Sequence, residues 1–222
     1  MTRLPACILF DLDGTLLDSL PGIESSVRAA FASQGLPVPS GSLRNLIGPP
    51  IRTILAKAGN VTDPSTLDAL ERAFRQHHDT EGWKETVCFP EALRVLTELR
   101  RHGRRLFVVS NKPRRVSLKI LERENLVGLF ESVITRDSRV PAYAGKVEMV
   151  GELLVQQEIR PADCVLVGDT MEDAKAAAEK GIAFIYMTHG YGRMEDPSVA
   201  AARCLQNFSQ FLPMIAEELV RD

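Results

Sequence analysis

A doubly wound α/β domain interrupted by a helical insertion is the fold this sequence predicts. Five short apolar runs without polar alternation read as strands covered on both faces. Helical patterns separate the last four of them, as in a parallel sheet with crossover helices. Between the first run and the second lies a long stretch with helical periodicity alone.

The strand-like runs are Ala6–Phe10, Leu106–Ser110, Ser132–Thr135, Cys164–Gly168 and Ala183–Met187. Each is rich in Val, Ile, Leu or Phe, the composition of buried strands. Among the helices, Pro90–His102 sets Leu93, Leu96 and Leu99 in register before a stop at Gly103. Pro113–Glu124 opens with a proline, which suits a first helical turn. Lys146–Gln157 carries Val147, Val150, Leu153 and Leu154 on one face. Met171–Lys180 is alanine-rich and ends at Gly181, a residue suited to a helix C-terminus.

Within the insertion, Ile23, Val27, Ala30 and Phe31 mark one helix, and Leu43, Leu46 and Ile47 part of a second. Ile51, Ile54, Leu55 and Ala58 mark a third, and Leu67, Leu70, Ala73 and Phe74 a fourth. Loops at Gly35–Pro39, Gly48–Pro50 and Gly59–Pro64 punctuate them. The expected organisation is a Rossmann-like core of residues 1–15 and 89–222 with a small helical bundle, residues 16–88, inserted as a cap.

Composition narrows the function classes. A formal net charge of −2 and no long basic run disfavour a nucleic-acid partner. The densest basic cluster, Arg100, Arg101, Arg104 and Arg105, suits a helix C-terminus and the loop after it. No apolar stretch reaches the roughly 18 residues a bilayer requires, and Asp11 and Asp13 cut short the apolar start that a signal segment would need. These features lead us to expect a soluble, cytoplasmic protein with no nucleic-acid or membrane partner; they leave open whether it is a monomer or homodimer. Cys7, Cys88, Cys164 and Cys204 lack CxxC spacing, which argues against a disulfide framework or a zinc site.

Two acidic motifs carry the chemistry. In Cys7-Ile-Leu-Phe-Asp11-Leu-Asp13-Gly14-Thr15, two carboxylates follow directly on a buried strand. Residues i and i+2 share a strand face, and ligands of open α/β sheets bind off the strands' carboxyl ends. Asp11 can then aim at a reacting centre with Asp13 beside it. A capped turn would explain one Asp and the Gly, but not two acids on so apolar a strand. An EF-hand fails on spacing, since Gly14 is the fourth position from Asp11 and Gly22 stands where a glutamate should close the loop. The second motif, Val165-Leu-Val-Gly168-Asp169-Thr170-Met171-Glu172-Asp173, again ends a buried strand in an acid. Asp173 in a first helical turn also suits the helix dipole. Asp169 requires a partner, and Mg²⁺, which takes carboxylates, waters and phosphate oxygens, would supply it.

Two basic or polar positions lie between them. In Phe107-Val-Val-Ser110-Asn111-Lys112-Pro113, the Ser110 hydroxyl and the Asn111 N–H can meet a phosphate oxygen, although Ser before a helix is also a common cap. Lys146 opens a helix against the dipole, a placement that a nearby anion would offset.

In this order, Asp11-Leu-Asp13-Gly14-Thr15, Ser110, Lys146 and Gly168-Asp-Thr-Met-Glu-Asp173 resemble the haloacid dehalogenase superfamily of phosphohydrolases. The wide spacing from Asp11 to Ser110 resembles the subclass with a helical cap after the first strand. Leu16-Leu-Asp18-Ser19, Ile47-Gly48-Pro49-Pro50, Ser110-Asn-Lys-Pro113 and Gly190-Tyr-Gly192 are similar to its phosphoglycolate phosphatase-like members. The segment Pro141-Ala-Tyr-Ala-Gly145-Lys146 departs from the proline-rich pattern of that group.

The resemblance implies that Asp11 attacks phosphorus to form an aspartyl-phosphate and that Asp13 is the general acid, then base. It implies Mg²⁺ held by Asp11, the Asp13 main-chain carbonyl and Asp169, with Asp173 orienting that shell. Ser110 and Lys146 would stabilise the transferring oxygens, with Thr15 and Asn111 on the substrate side. Arg52, just past Gly48-Pro-Pro50, is a candidate for a forked hydrogen bond to a substrate anion, or a surface arginine on a cap helix. The implied substrate is a small phosphate ester, 2-phosphoglycolate before others. A 5′-nucleotidase, a pyrophosphatase, a sugar-phosphate phosphatase or phosphomutase, and a non-catalytic phosphate-binding protein are the alternatives. A dehalogenase would need neither Asp13 as proton donor nor a metal.

Overall fold

The computed structural model describes residues 4–194 and 201–219. The chain divides into two compact units, one of Met1–Leu17 with Cys88–Asp222 and the other Asp18–Val87.

β1 (Cys7–Phe10) is followed by the two-residue strand β2 (Leu17–Asp18). The second unit then supplies α1 (Leu20–Ser33), α2 (Ile51–Gly59) and α3 (Pro64–Thr80), before β3 (Val87–Cys88) pairs with β2. The first unit continues through α4 (Ala92–Arg101), β4 (Arg105–Ser110), α5 (Arg114–Arg123), β5 (Ser132–Thr135) and α6 (Lys146–Gln156). It ends with β6 (Cys164–Gly168), α7 (Met171–Lys180), β7 (Ala183–Met187), β8 (Arg203–Leu205) and α8 (Phe211–Leu219).

Six of these strands form one sheet in the order β5-β4-β1-β6-β7-β8, with every pairing parallel. The chain winds outward from β1 through β4 to β5, then crosses back to β6 and winds the other way. The strand order therefore reverses between β1 and β6, which opens a crevice at their carboxyl ends. The expected α/β class with a helical insertion after the first strand is borne out.

Strand alternation divides the core of this unit. Cys7 and Leu9 share one face with Phe107, Val109 and Leu166, covered by Met149, Val150 and Leu153 of α6 and Ala174 and Ala177 of α7. Phe10 points the opposite way, with its ring centroid 6.4 Å from Phe130 and Phe211 and 6.5 Å from Phe208. Each fully buried Phe contributes about 1.5–3 kcal/mol relative to exposure. In the other unit, Ile23, Val27 and Phe31 of α1 are buried, as are Leu67, Leu70 and Phe74 of α3. Asp63 caps α3 by accepting from the Thr66 N–H at 2.8 Å, ahead of Pro64 in the first turn.

The structure differs from the sequence reading at several elements. The expected second cap helix is a single 3₁₀ turn, Arg44–Leu46, because Gly41 and Gly48-Pro49-Pro50 leave no room for a longer one. Pro113 stands just outside α5, which starts at Arg114. β8 and α8 were not expected. The first is three residues long with an exposed Cys204, and the second carries Pro213 in its first turn, where its missing N–H costs nothing.

Candidate active site

Asp11 follows immediately on β1, and its N–H extends the ladder by donating to the Val167 carbonyl at 3.0 Å. Alternation sends its side chain to the face shared by Cys7 and Leu9, where the N-terminal ends of α6 and α7 arrive. Lys146, the first residue of α6, puts Nζ 3.0 Å from Asp11 Oδ1 and 2.5 Å from Asp173 Oδ1. The anion that offsets this lysine's conflict with the helix dipole is thus the protein's own pair of carboxylates.

Asp173 serves two purposes at once. Its Oδ2 accepts from the Thr170 N–H at 3.0 Å and the Thr170 hydroxyl at 2.6 Å, and its own N–H donates to Thr170 Oγ1 at 3.4 Å. This is a capping box with Asp in the place usually taken by Glu. The two readings of Asp173, helix cap and member of an acidic site, are both satisfied by one side chain.

Asp169 leaves the C-terminal end of β6 and is fixed by three donors. The Thr15 hydroxyl reaches Oδ1 at 3.0 Å, and the N–H groups of Tyr191 and Gly192 reach Oδ2 at 2.7 and 3.3 Å. The turns around it require glycine. Gly14 has φ +82°, and a Cβ there would come within 2.3 Å of Asp169 Oδ2. A Cβ on Gly190 would come within 2.1 Å of the Asp169 Cβ.

Asp11, Asp169 and Asp173 each offer an oxygen within 4.8 Å of the others, and all three are buried. Burial pushes the Asp11 carboxyl up to about 8, with Lys146 pulling the other way and Asp173, Asp169 and Asp13 adding to the rise. Burial, then Asp173, raises Asp169 to about 6 against the pull of the Tyr191, Gly192 and Thr15 hydrogen bonds. Burial works against the charge on Lys146, yet Asp11 and Asp173 hold it firmly protonated. With all three acids ionised, one ammonium leaves an excess of negative charge that a cation would offset, and the donors are all hard oxygens. That set fits a divalent cation such as Mg²⁺.

Asp13 faces elsewhere. Its carboxylate binds Lys112 Nζ at 3.0 and 3.3 Å and is not one of the three clustered acids. Ser110, buried at the end of β4, accepts the Lys112 N–H at 3.3 Å. Asn111 Nδ2 donates to Glu172 Oε2 at 2.8 Å, and Glu172 Oε1 accepts the Lys146 N–H at 3.3 Å. A single glutamate therefore ties three of the site's segments together.

Residues 8–187 match the family described as haloacid dehalogenase-like hydrolase. The chain belongs to this family. Tyrosine-protein kinase PtkA of Mycobacterium tuberculosis is 35% identical over 86% of this chain, which spans only 65% of that relative's length. Its solved structure, 31% identical, superposes with a TM-score of 0.81 over 96% of this chain and 98% of that one. Phosphoglycolate phosphatase 1 of Pseudomonas aeruginosa is 30% identical over 86% of this chain and 72% of its own length. A haloacid dehalogenase-like family hydrolase from Streptococcus pneumoniae has the same fold, with a TM-score of 0.85 at 24% identity over 96% of this chain and 99% of that chain.

In this haloacid dehalogenase-like hydrolase, Asp11, Asp169, Asp173 and Lys146 meet in one buried cluster. Thr15 joins it through Asp169, Asn111 through Glu172, and Asp13 and Ser110 adjoin through Lys112. Arg52 is not among them. It lies in the Asp18–Val87 unit, where its guanidinium is taken by Asp68 at 2.5 Å, Glu71 at 3.5 Å and the Pro64 carbonyl at 3.3 Å. A substrate anion would have to compete with two carboxylates for it. The departing segment before Lys146 is anchored by Tyr143, which is buried beneath the Arg139 guanidinium at 4.2 Å. Arg139 is held in turn by Glu148 and Glu152. The sequence reading missed the partners Lys112 and Glu172 and the two amides on Asp169. Glu172 and Lys112 both stand inside motifs already singled out, so proximity to those motifs was the available signal.

Proposed function

We infer that this chain is a Mg²⁺-dependent phosphomonoester hydrolase that works through an aspartyl-phosphate on Asp11. The observation that carries this reading is the Asp11 carboxylate, buried at the sheet's switch point 3.0 Å from Lys146 and clustered with Asp169 and Asp173. An Asp11 oxygen attacks phosphorus while the ester oxygen leaves with a proton from Asp13. Asp13 then takes a proton from the water that attacks the aspartyl-phosphate, which frees phosphate and restores Asp11. Lys146, the Ser110 hydroxyl and the Asn111 N–H stabilise charge on the transferring oxygens. Held by Asp11 and Asp169, with Asp173 beside them, Mg²⁺ would neutralise the cluster and shield the phosphate from its carboxylate attacker.

The substrate class is a small phosphorylated metabolite. 2-Phosphoglycolate is the first candidate, on the strength of the relatives named phosphoglycolate phosphatase. The relative named as a tyrosine-protein kinase supports a second reading, in which the phosphoryl group on Asp11 passes to a protein hydroxyl instead of water. Phosphate release from 2-phosphoglycolate, nucleoside monophosphates, sugar phosphates and pyrophosphate, with Mg²⁺ and with chelator, tests the first. Release that requires metal and vanishes in Asp11→Asn is expected. Absence of release from every compound by folded, Mg²⁺-supplied protein would refute it, and label moving to an added tyrosine-containing protein would favour the second reading.

A further inference from the structure

Lys112 is a firmly placed group that this mechanism leaves unused. Its ammonium spans both oxygens of Asp13, at 3.0 and 3.3 Å. The Lys112 side chain is 4% exposed, whereas that of Asp13 is 22% exposed. The carboxylate can therefore meet a substrate while the ammonium behind it cannot. The backbone of Lys112 is fixed as well, because its N–H donates to Ser110 Oγ at 3.3 Å and the Ser117 hydroxyl donates to its carbonyl at 3.5 Å. A lysine buried only for stability would be a poor choice, since a buried ion pair rarely outperforms an apolar side chain of similar volume.

We propose that Lys112 is a positioning residue that aims the Asp13 carboxyl at the leaving-group oxygen. This rests on the reading of Asp13 as the proton donor. The bonds made and broken are those of the mechanism above: Asp13 enters the step protonated on one oxygen with Lys112 on the other, its proton passes to the ester oxygen, and Lys112 keeps all of its own protons. A carboxyl group held in place from behind meets the reacting oxygen with less loss of orientation than a free one. The benefit grows with the basicity of the leaving oxygen, because a poorly basic oxygen departs without a proton.

The test is steady-state kinetics, with Mg²⁺, on phenyl phosphate and p-nitrophenyl phosphate, two probes of similar shape whose leaving groups differ in basicity. Lys112→Met, Lys112→Arg and Asp13→Asn are compared with the unaltered chain. General acid catalysis is worth roughly 10²–10⁴-fold, so K112M is expected to lower kcat on phenyl phosphate by about 100-fold with KM nearly unchanged. The loss on p-nitrophenyl phosphate should be under about 10-fold on the same principle. K112R should recover most of it, and D13N should show the same split between probes. The ratio of the two rates within one preparation is independent of how much of the variant is folded. Equal losses on both probes, no loss, or a rise in KM alone would overturn the proposal. A D13N variant that does not discriminate between the probes would refute the proton-donor reading itself, and the proposal with it.

Discussion

Asp169 accepts three hydrogen bonds and has glycines pressed against it on two sides, so the carboxylate has little freedom to turn. A methyl group at Gly190 would have to displace it. Gly190→Ala is therefore expected to lower Mg²⁺ affinity by about 10–100-fold, the usual effect of disturbing the groups behind a metal ligand. Titration calorimetry with Mg²⁺ would measure this, and unchanged affinity would show that the turn can relax. At this scale the acids were legible because each follows an uninterrupted apolar strand. Their partners were not. The Lys112–Asp13 pair joins positions 99 apart, and the Thr15–Asp169 bond joins positions 154 apart. No local pattern specifies such pairs, because they exist only once parallel strands have chosen their neighbours.

The helix α7 begins inside the site, so its cap and the acidic cluster depend on each other. Thr170→Ala removes the capping hydroxyl and one of the bonds that fix Asp173. Loss of such a cap costs about 1 kcal/mol, expected as a lower urea midpoint with unchanged slope. A second prediction concerns the end of the chain, where Phe208 and Phe211 pack under Phe10. Phe211→Ala should cost about 3–5 kcal/mol, as deletion of a buried aromatic does. A loss below about 1 kcal/mol in denaturant unfolding would mean that the C-terminal segment contributes little to this core. The regular elements were legible wherever an apolar run or a helical stripe was long enough to count. β8 was too short and too polar for that, Pro213 disguised the start of α8, and three apolar residues between glycines gave the false promise of a helix at Leu43–Ile47.

For the molecule as a whole, two solution conditions should shift stability in predictable directions. A cation that binds only the folded chain adds about 2.7 kcal/mol at 100 times its Kd. Mg²⁺ should thus raise the melting temperature, chelator should reverse the rise, and Asp169→Asn should abolish it. Alkaline pH should act in the opposite sense. Burial pushes the Cys164 thiol from near 9 up to about 12, so the unfolded chain loses this proton first and stability falls as pH rises from 9 towards 12. Cys164→Ala should flatten that decline in urea unfolding measured across the interval. Among the described residues, no helix is long and apolar enough to cross a membrane.

The strand order carries one more consequence, for how the protein is made. β1 lies at the middle of the sheet, yet β4 and β6, which flank it, come later in the chain, after the whole Asp18–Val87 unit and after β5 respectively. On the ribosome, Cys-Ile-Leu-Phe with Asp11 at its tip must wait with both hydrogen-bonding edges open until β4 is made, and with one open until β6 follows. Unpaired apolar strands of this kind invite mispairing and aggregation. A strand buried along its whole length in the folded chain is thus left open in the nascent one, the kind of short hydrophobic segment that chaperones shield.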